Sequence, residues 1–114
     1  VASERFSKDR RLRKRREFLA VQSGGEKVHT RHFLLLVRRT SNSCGRVGIT
    51  VSKRVGNAVT RNRVKRLVRE VARRTGALTV AGTEVVVIAK ASAARADLQT
   101  VHADLVRGAG RIAT

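Results

Sequence analysis

Apolar residues between positions 64 and 71 recur with a helical period: Val64, Leu67, Val68 and Val71 fall at i, i+3, i+4 and i+7. At roughly 100° per residue they share one narrow stripe. The spacing predicts an amphipathic helix, capped by Asn57 or Thr60 and ended by Gly76. Upstream, 13–22 reads as a short helix with Phe18, Leu19 and Val21 as its apolar positions, stopped by Ser23, Gly24 and Gly25. Residues 26–30 suit a short edge strand. The run Phe33-Leu34-Leu35-Leu36-Val37 suits a buried one, and 40–45 has the composition of a hairpin turn. Residues 46–53 alternate, with Val47, Ile49 and Val51 facing one way and Arg46, Gly48, Thr50 and Ser52 the other. One side of the sheet is therefore expected to pack on helices. The other is expected to be polar, with a bare Gly48 where a ligand backbone can come close. A connector at 77–82 leads to a buried strand at 83–90. Asp97 then caps a last helix carrying Leu98, Val101, Leu105 and Val106 on one face, ended by Gly108 and Gly110. No repeat, proline or low-complexity tract interrupts this order, so 1–114 is expected to be a single α/β domain.

Charge changes this picture more than composition does. The apolar fraction of 41% is ordinary for a small core, but a formal net charge of +18 on 114 residues is not. Charge of that size works against a compact state and points to a polyanionic partner. Arg outnumbers Lys, which favours forked contacts to phosphate oxygens. Residues 1–16 form a basic leader holding one aromatic, Phe6; it is either a flexible arm, 1–10 above all, or a segment that orders on RNA. No apolar run approaches the roughly 20 residues that span a bilayer, and the first residues lack the apolar core of a secretory signal. The chain opens on Val1, as expected of a processed or trimmed product, which carries no functional weight. Cys44 is alone, so no intrachain disulfide forms and a reducing cytoplasmic home is expected.

The charge concentrates on the central helix. Arg61, Lys65 and Arg69 lie along one flank of its apolar stripe, Arg63 and Arg74 along the other, and Arg66 and Arg73 point away. Glu70 is the only acid between Lys53 and Arg74. A solvated surface helix is the bland alternative, but its i, i+4 neighbours share a sign and repel, which a bound polyanion would relieve. No catalytic constellation accompanies it: the acids are scattered, and His29, His32 and His102 have no Cys or carboxylate at ligand spacing. Gly24-Gly25 lacks the Gly-Lys-Ser/Thr of a phosphate loop, and Cys44 has no evident base. Asn62 is the only amide on a face otherwise suited to phosphate, so reading of duplex DNA bases is not indicated. Tyr and Trp are absent and Phe33 belongs with the core, leaving Phe18 and Phe6 as base platforms. Folded RNA, recognised by shape and charge, fits best.

Three segments then carry a resemblance. Arg46-Val47-Gly48-Ile49-Thr50-Val51-Ser52-Lys53, Gly56-Asn57-Ala58-Val59 and Arg61-Asn62-Arg63-Val64-Lys65-Arg66-Leu67-Val68-Arg69-Glu70 resemble the signature of the bacterial ribonuclease P protein subunit family. Phe6 with Arg11-Leu12-Arg13-Lys14-Arg15 and Glu17-Phe18 resembles that family's amino end. The resemblance implies an α+β fold, a single-domain α–β sandwich in the order α-β-β-β-α-β-α, with a left-handed β-α-β crossover that runs against the usual hand. It also implies a subunit that assists a catalytic RNA in removing the 5′ leader from precursor tRNA. The catalytic centre and its magnesium would then sit in the RNA, with one protein per RNA and no catalytic residue in this chain.

By the same resemblance Lys53, Arg61, Asn62, Arg63, Lys65, Arg66 and Arg69 contact the catalytic RNA. The leader crosses the open sheet face and first helix, at Phe18, Gln22, Leu36, Thr50 and Ser52. Two of these depart from the family pattern: Gln22 stands where a second aromatic is common, and Leu36 where Tyr often sits. Both weaken stacking in the leader cleft. The alternative is a ribosomal or general structured-RNA-binding protein without a catalytic partner.

Overall fold

Helix formation along residues 58–75 follows from its ends as much as from its stripe. In the computed structural model, which describes residues 11, 12, 14–40, 45–76 and 78–112, Asn57 Oδ1 accepts the Thr60 amide at 2.9 Å. Gly76 closes the other end with φ 66°, a left-handed conformation that glycine adopts without a side-chain clash. Between these caps α2 (Ala58–Thr75) buries Val64, Val68, Val71 and Ala72. Each valine so buried contributes about 1.5–3 kcal/mol. The remaining elements are α1 (Arg15–Gly24), β1 (Glu26–His29), β2 (Phe33–Arg39), β3 (Arg46–Thr50), β4 (Thr83–Ala89), a 3-10 turn (Ala91–Arg95) and α3 (Leu98–Ile112). The order is the α-β-β-β-α-β-α of the expected α+β sandwich.

The sheet runs β1-β2-β4-β3, with β1–β2 and β2–β4 antiparallel and β3–β4 parallel. This corrects the reading of 40–45 as a hairpin turn. Strands β2 and β3 are not neighbours, because β4 lies between them and pairs with both. Composition reports only that a chain turns; the long-range pairing of Leu35 and of Ile49 with Val87 decides where it goes. Cys44 and residues 1–10 lie outside the described residues.

Both sheet faces are apolar. One carries Phe33, Leu35, Val37, Val47, Val85 and Val87 against α2 and α3. The other, expected to be open and polar, carries Leu36 and Val86 beneath Leu12 and Val21 of the amino segment and α1, with Phe18, Leu34 and Ile88 packed around them. Gly48 faces that second layer. It is buried under the Phe18 ring, and a Cβ there would stand 2.6 Å from Phe18 Cζ. An internal aromatic, not a ligand backbone, makes the close approach. A charged network ties α1 down beside it: Glu17 pairs with Arg46, Arg46 reaches Glu84 at 3.4 Å, and Glu84 takes Arg38 at 2.5 Å.

The last helix differs from expectation in two ways. Asp97 does cap it, accepting the Thr100 amide at 2.8 Å, but the helix runs through Gly108 and Gly110 to Ile112. Gly108 is a packing residue, since a Cβ would meet Thr30 Cγ2 at 2.6 Å and Leu35 Cδ1 at 2.9 Å. Val106, assigned to the apolar face, is 39% exposed, and Asp104 is buried in its stead.

Candidate nucleic-acid interface

On α1, Arg15, Phe18, Leu19 and Gln22 fall at i, i+3, i+4 and i+7, so one face presents a cation, an aromatic, an aliphatic and an amide. That face lines an open groove of about 440 Å³, whose far wall is Ile49, Thr50 and Val51 at the end of β3 and Lys65 of α2. A second hollow, about 240 Å³, shares Phe18 and Ile49 with it and adds Arg11, Leu12, Val47, Gly48 and Arg69. Together they follow the outer edge of β3. There the Leu12 amide donates to Val47 O at 2.9 Å, and Arg11 forms an isolated parallel bridge with Val47. Each hollow is bordered by one cation from the amino segment (Arg15, Arg11) and one from α2 (Lys65, Arg69). Among the described residues no carboxylate, histidine or cysteine lines either. The trough has the chemistry to hold an extended polyanion with an aromatic against one of its bases.

Along α2 the cations are not equivalent. Asn62, Arg66 and Arg69 are exposed, while Arg61 and Lys65 are half-buried. Arg61 Nε is buried without a hydrogen-bond partner among the described residues. Arg63 donates to Ala94 O at 3.2 Å and Ala96 O at 2.8 Å, so its guanidinium already braces the 3-10 turn. Arg73 and Arg74 both pair with Glu70, and their hydrogen bonds hold its carboxyl below the ordinary carboxylate value. The net positive ridge is thus confined to the first two-thirds of the helix, at Arg61, Lys65, Arg66 and Arg69, with exposed Lys53 in the turn that leads into it.

Of the residues expected to meet a leader, the groove brings together Phe18, Gln22 and Thr50. Leu36 is corrected: at 4% exposure it sits in the core under α1, since β2 is an interior strand on the face that α1 covers. Ser52 is exposed beyond the end of β3 and is not part of the groove wall; its carbonyl accepts the Val55 amide in the turn. Sequence reasoning missed Arg15 and Leu19 as lining residues, although their helical spacing with Phe18 was available. Lys65 was expected on the ridge alone. It stands in both sites, so groove and ridge are contiguous.

The comparisons agree with one another. The family model for Ribonuclease P matches residues 6–113. The ribonuclease P protein component of Geobacter sp. (strain M21) is 40% identical over 112 residues, covering 98% of this chain and 96% of that protein. That of Thermotoga maritima is 34% identical over 114 residues, covering 96% and 97%. Among solved structures, the Staphylococcus aureus RNase P protein superposes with a TM-score of 0.81 at 28% identity, covering 92% of this chain and 95% of that one. The Thermotoga maritima protein gives 0.80 at 34% identity, covering 89% and 96%.

Proposed function

This chain belongs to the ribonuclease P protein family and is the RNA-binding component of a tRNA-processing endoribonuclease whose partner is the catalytic RNA; from that premise we propose how its surfaces divide two RNAs between them. The trough along β3 takes the single-stranded 5′ leader of precursor tRNA, with Phe18 as a base platform and Gln22 and Thr50 as hydrogen-bonding neighbours. The ridge of Arg61, Asn62, Lys65, Arg66 and Arg69, with Lys53, takes the backbone of the catalytic RNA. Arg63 contributes by bracing the 3-10 turn, with whatever donors its guanidinium has left. One protein binds each RNA, and the cytoplasm is the working compartment; no described helix is long and apolar enough to cross a membrane.

The observation that carries this reading is that Lys65 stands in both sites. An RNA on the ridge and a strand in the trough would pass within a side chain of each other. Two phosphate chains that close repel, and a row of fixed guanidinium and ammonium groups between them lowers that repulsion. The chemistry itself, with its magnesium, belongs to the RNA. The protein's share is to hold the leader so that the scissile bond is presented, and to supply charge that would otherwise come from bulk cations. Cleavage of precursor tRNA by the catalytic RNA at low magnesium, with and without this protein, tests it. A large gain in rate is expected with protein for leader-bearing substrate. An equal gain when Phe18→Ala replaces the native chain would remove the trough from the account.

A further inference from the structure

A second basic groove lies at the opposite edge of the sheet. β1 is the edge strand there, and the turn joining it to β2 is pinned onto α3 by one carboxylate. Asp104 accepts hydrogen bonds from Thr30 Oγ1 at 2.6 Å, the Arg31 amide at 3.1 Å and the His32 amide at 3.0 Å. Around this pin opens a groove of about 350 Å³ lined by Arg31, His32, Gln99, Thr100, Asp104 and Arg107. Asp104 is 3% exposed and occupied by three donors, so the charge presented to solvent is that of Arg31 and Arg107. Both are exposed, and neither side chain forms an ion pair among the described residues. Their backbones are held rigidly and their guanidinium groups are free to be used. That combination is unexplained by the leader trough, which lies three strands away.

The groove is joined to α2 through the 3-10 turn. Arg63 of α2 holds the carbonyls of Ala94 and Ala96 from one side. From the other, Ser92 Oγ meets His32 Nδ1 at 2.8 Å and donates to Arg31 O at 3.4 Å. Exposed Arg95 stands between. Cations therefore flank this turn on both sides, Arg63 from α2 and Arg31 and Arg107 from the groove, with Arg95 on the turn itself.

We propose that the surface binding the catalytic RNA extends along this band, and that Arg31 and Arg107 grip phosphates of a paired segment of that same RNA. This rests on the reading that α2 holds the catalytic RNA. A paired segment is indicated because the groove has two forked cations, while the His32 ring that lines it is buried and held at Nδ1 by Ser92 Oγ, so that among the described residues no exposed ring is offered to an unpaired base. The catalytic RNA, not the tRNA, is indicated by continuity with α2.

The test uses the full-length protein bound to the catalytic RNA and precursor tRNA, with backbone footprinting and the salt dependence of binding. Arg31→Ala with Arg107→Ala is compared with Arg66→Ala with Arg69→Ala. The first pair should lower the slope of log affinity against log salt by about 2, nearly one per phosphate released. It should also expose a segment of the catalytic RNA that the second pair leaves protected. Arg31→Lys with Arg107→Lys should restore most of the slope, which a purely structural role would not. An unchanged slope and footprint for the first pair overturns the inference, as does lost protection that maps to the tRNA, or a Lys variant as weak as the Ala one. If instead the second pair alone has no effect, the reading of α2 fails and the groove is an independent site.

Discussion

With one carbon atom, Gly48→Ala perturbs the floor of the trough proposed to hold the leader. Gly48 lies in β3 without a positive φ, so alanine brings no backbone strain there. By restricting the unfolded chain it would stabilise by about 0.5–1 kcal/mol. The new Cβ would stand 2.6 Å from Phe18 Cζ, 2.7 Å from Cε1 and 3.0 Å from Leu12 Cβ. Carbon atoms rest at about 3.5–4.0 Å, so the ring must retreat by roughly 1 Å. It has little freedom to do so with α1 in place: Val21, one turn on, is fully buried, and Glu17 is bound to Arg46. Either the ring rotates into the groove or the helix lifts. Such overpacking costs about 1–3 kcal/mol, which set against that entropic gain leaves a net loss of up to about 2.5 kcal/mol.

A double-mutant cycle separates this from generic damage. Phe18→Leu removes the ring that collides, so Gly48→Ala should cost less in that background, with a coupling of about 1 kcal/mol. Urea unfolding of the four proteins measures it, and the ratio of leader-bearing to mature tRNA affinity measures function. Gly48→Ala should reduce that ratio because the ring no longer lies where a base meets it. Additivity within about 0.3–0.5 kcal/mol, or an unchanged ratio, would refute the account of Gly48 as the seat of the platform.

Two further predictions concern what holds the frame. Asp104→Asn offers one acceptor where two carboxylate oxygens serve three donors; it should cost about 1–3 kcal/mol, read as a lower thermal midpoint, and equal stability would show that the β1–β2 turn is held by other means. Glu70 and Asp97 both have lowered carboxyl pKa values, Glu70 through Arg73 and Arg74 and Asp97 through the Thr100 amide. The unfolded chain therefore takes up these protons first, and their contribution is complete at neutral pH and lost as pH falls through the folded values. Asp97 is exposed and Glu70 partly so, which makes the loss modest. Glu70→Gln should flatten the acid limb of a urea-midpoint titration, and an identical limb would count against the pairing in solution.

How much of this was legible beforehand follows from the range of each interaction. The stripe of α2, its cap and its Gly76 terminus are decided within a few residues; stripe and terminus stand as read, and of the two cap candidates, Asn57 and Thr60, the structure uses Asn57. Gly108 looked like a helix stop because a glycine's local preference is all that a neighbour-by-neighbour reading registers. Its bare Cα is needed by Thr30 and Leu35, far away in sequence. Asp104 carries no local signal as the anchor of a turn seventy-odd residues upstream. Leu36 looked like a cleft residue by its place in a motif, whereas α1 covers the strand that holds it. In the trough, Phe18, Gln22 and Thr50 were named from the family motif, whereas Lys65 was not, because it reaches the groove from a separate element.

The acids explain why so cationic a chain folds. Glu84 is locked between Arg38 and Arg46, Glu17 fastens α1 to that same Arg46, and Glu70 offsets the last turn of α2. Asp97 caps α3 and Asp104 pins the β1–β2 turn. Each of these five carboxylates is placed where it closes a joint of the frame, and among the described residues none lines the trough beside β3. An acid in that trough would supply a proton acceptor or a metal ligand, but it would also repel every phosphate the surrounding cations attract. The described lining of the trough thus offers cations without a competing carboxylate, which suits the proposed binding of two RNA backbones. Cleavage comes from the partner, and for that reason adding a carboxylate at Thr50 should weaken leader binding without conferring any activity on the protein alone.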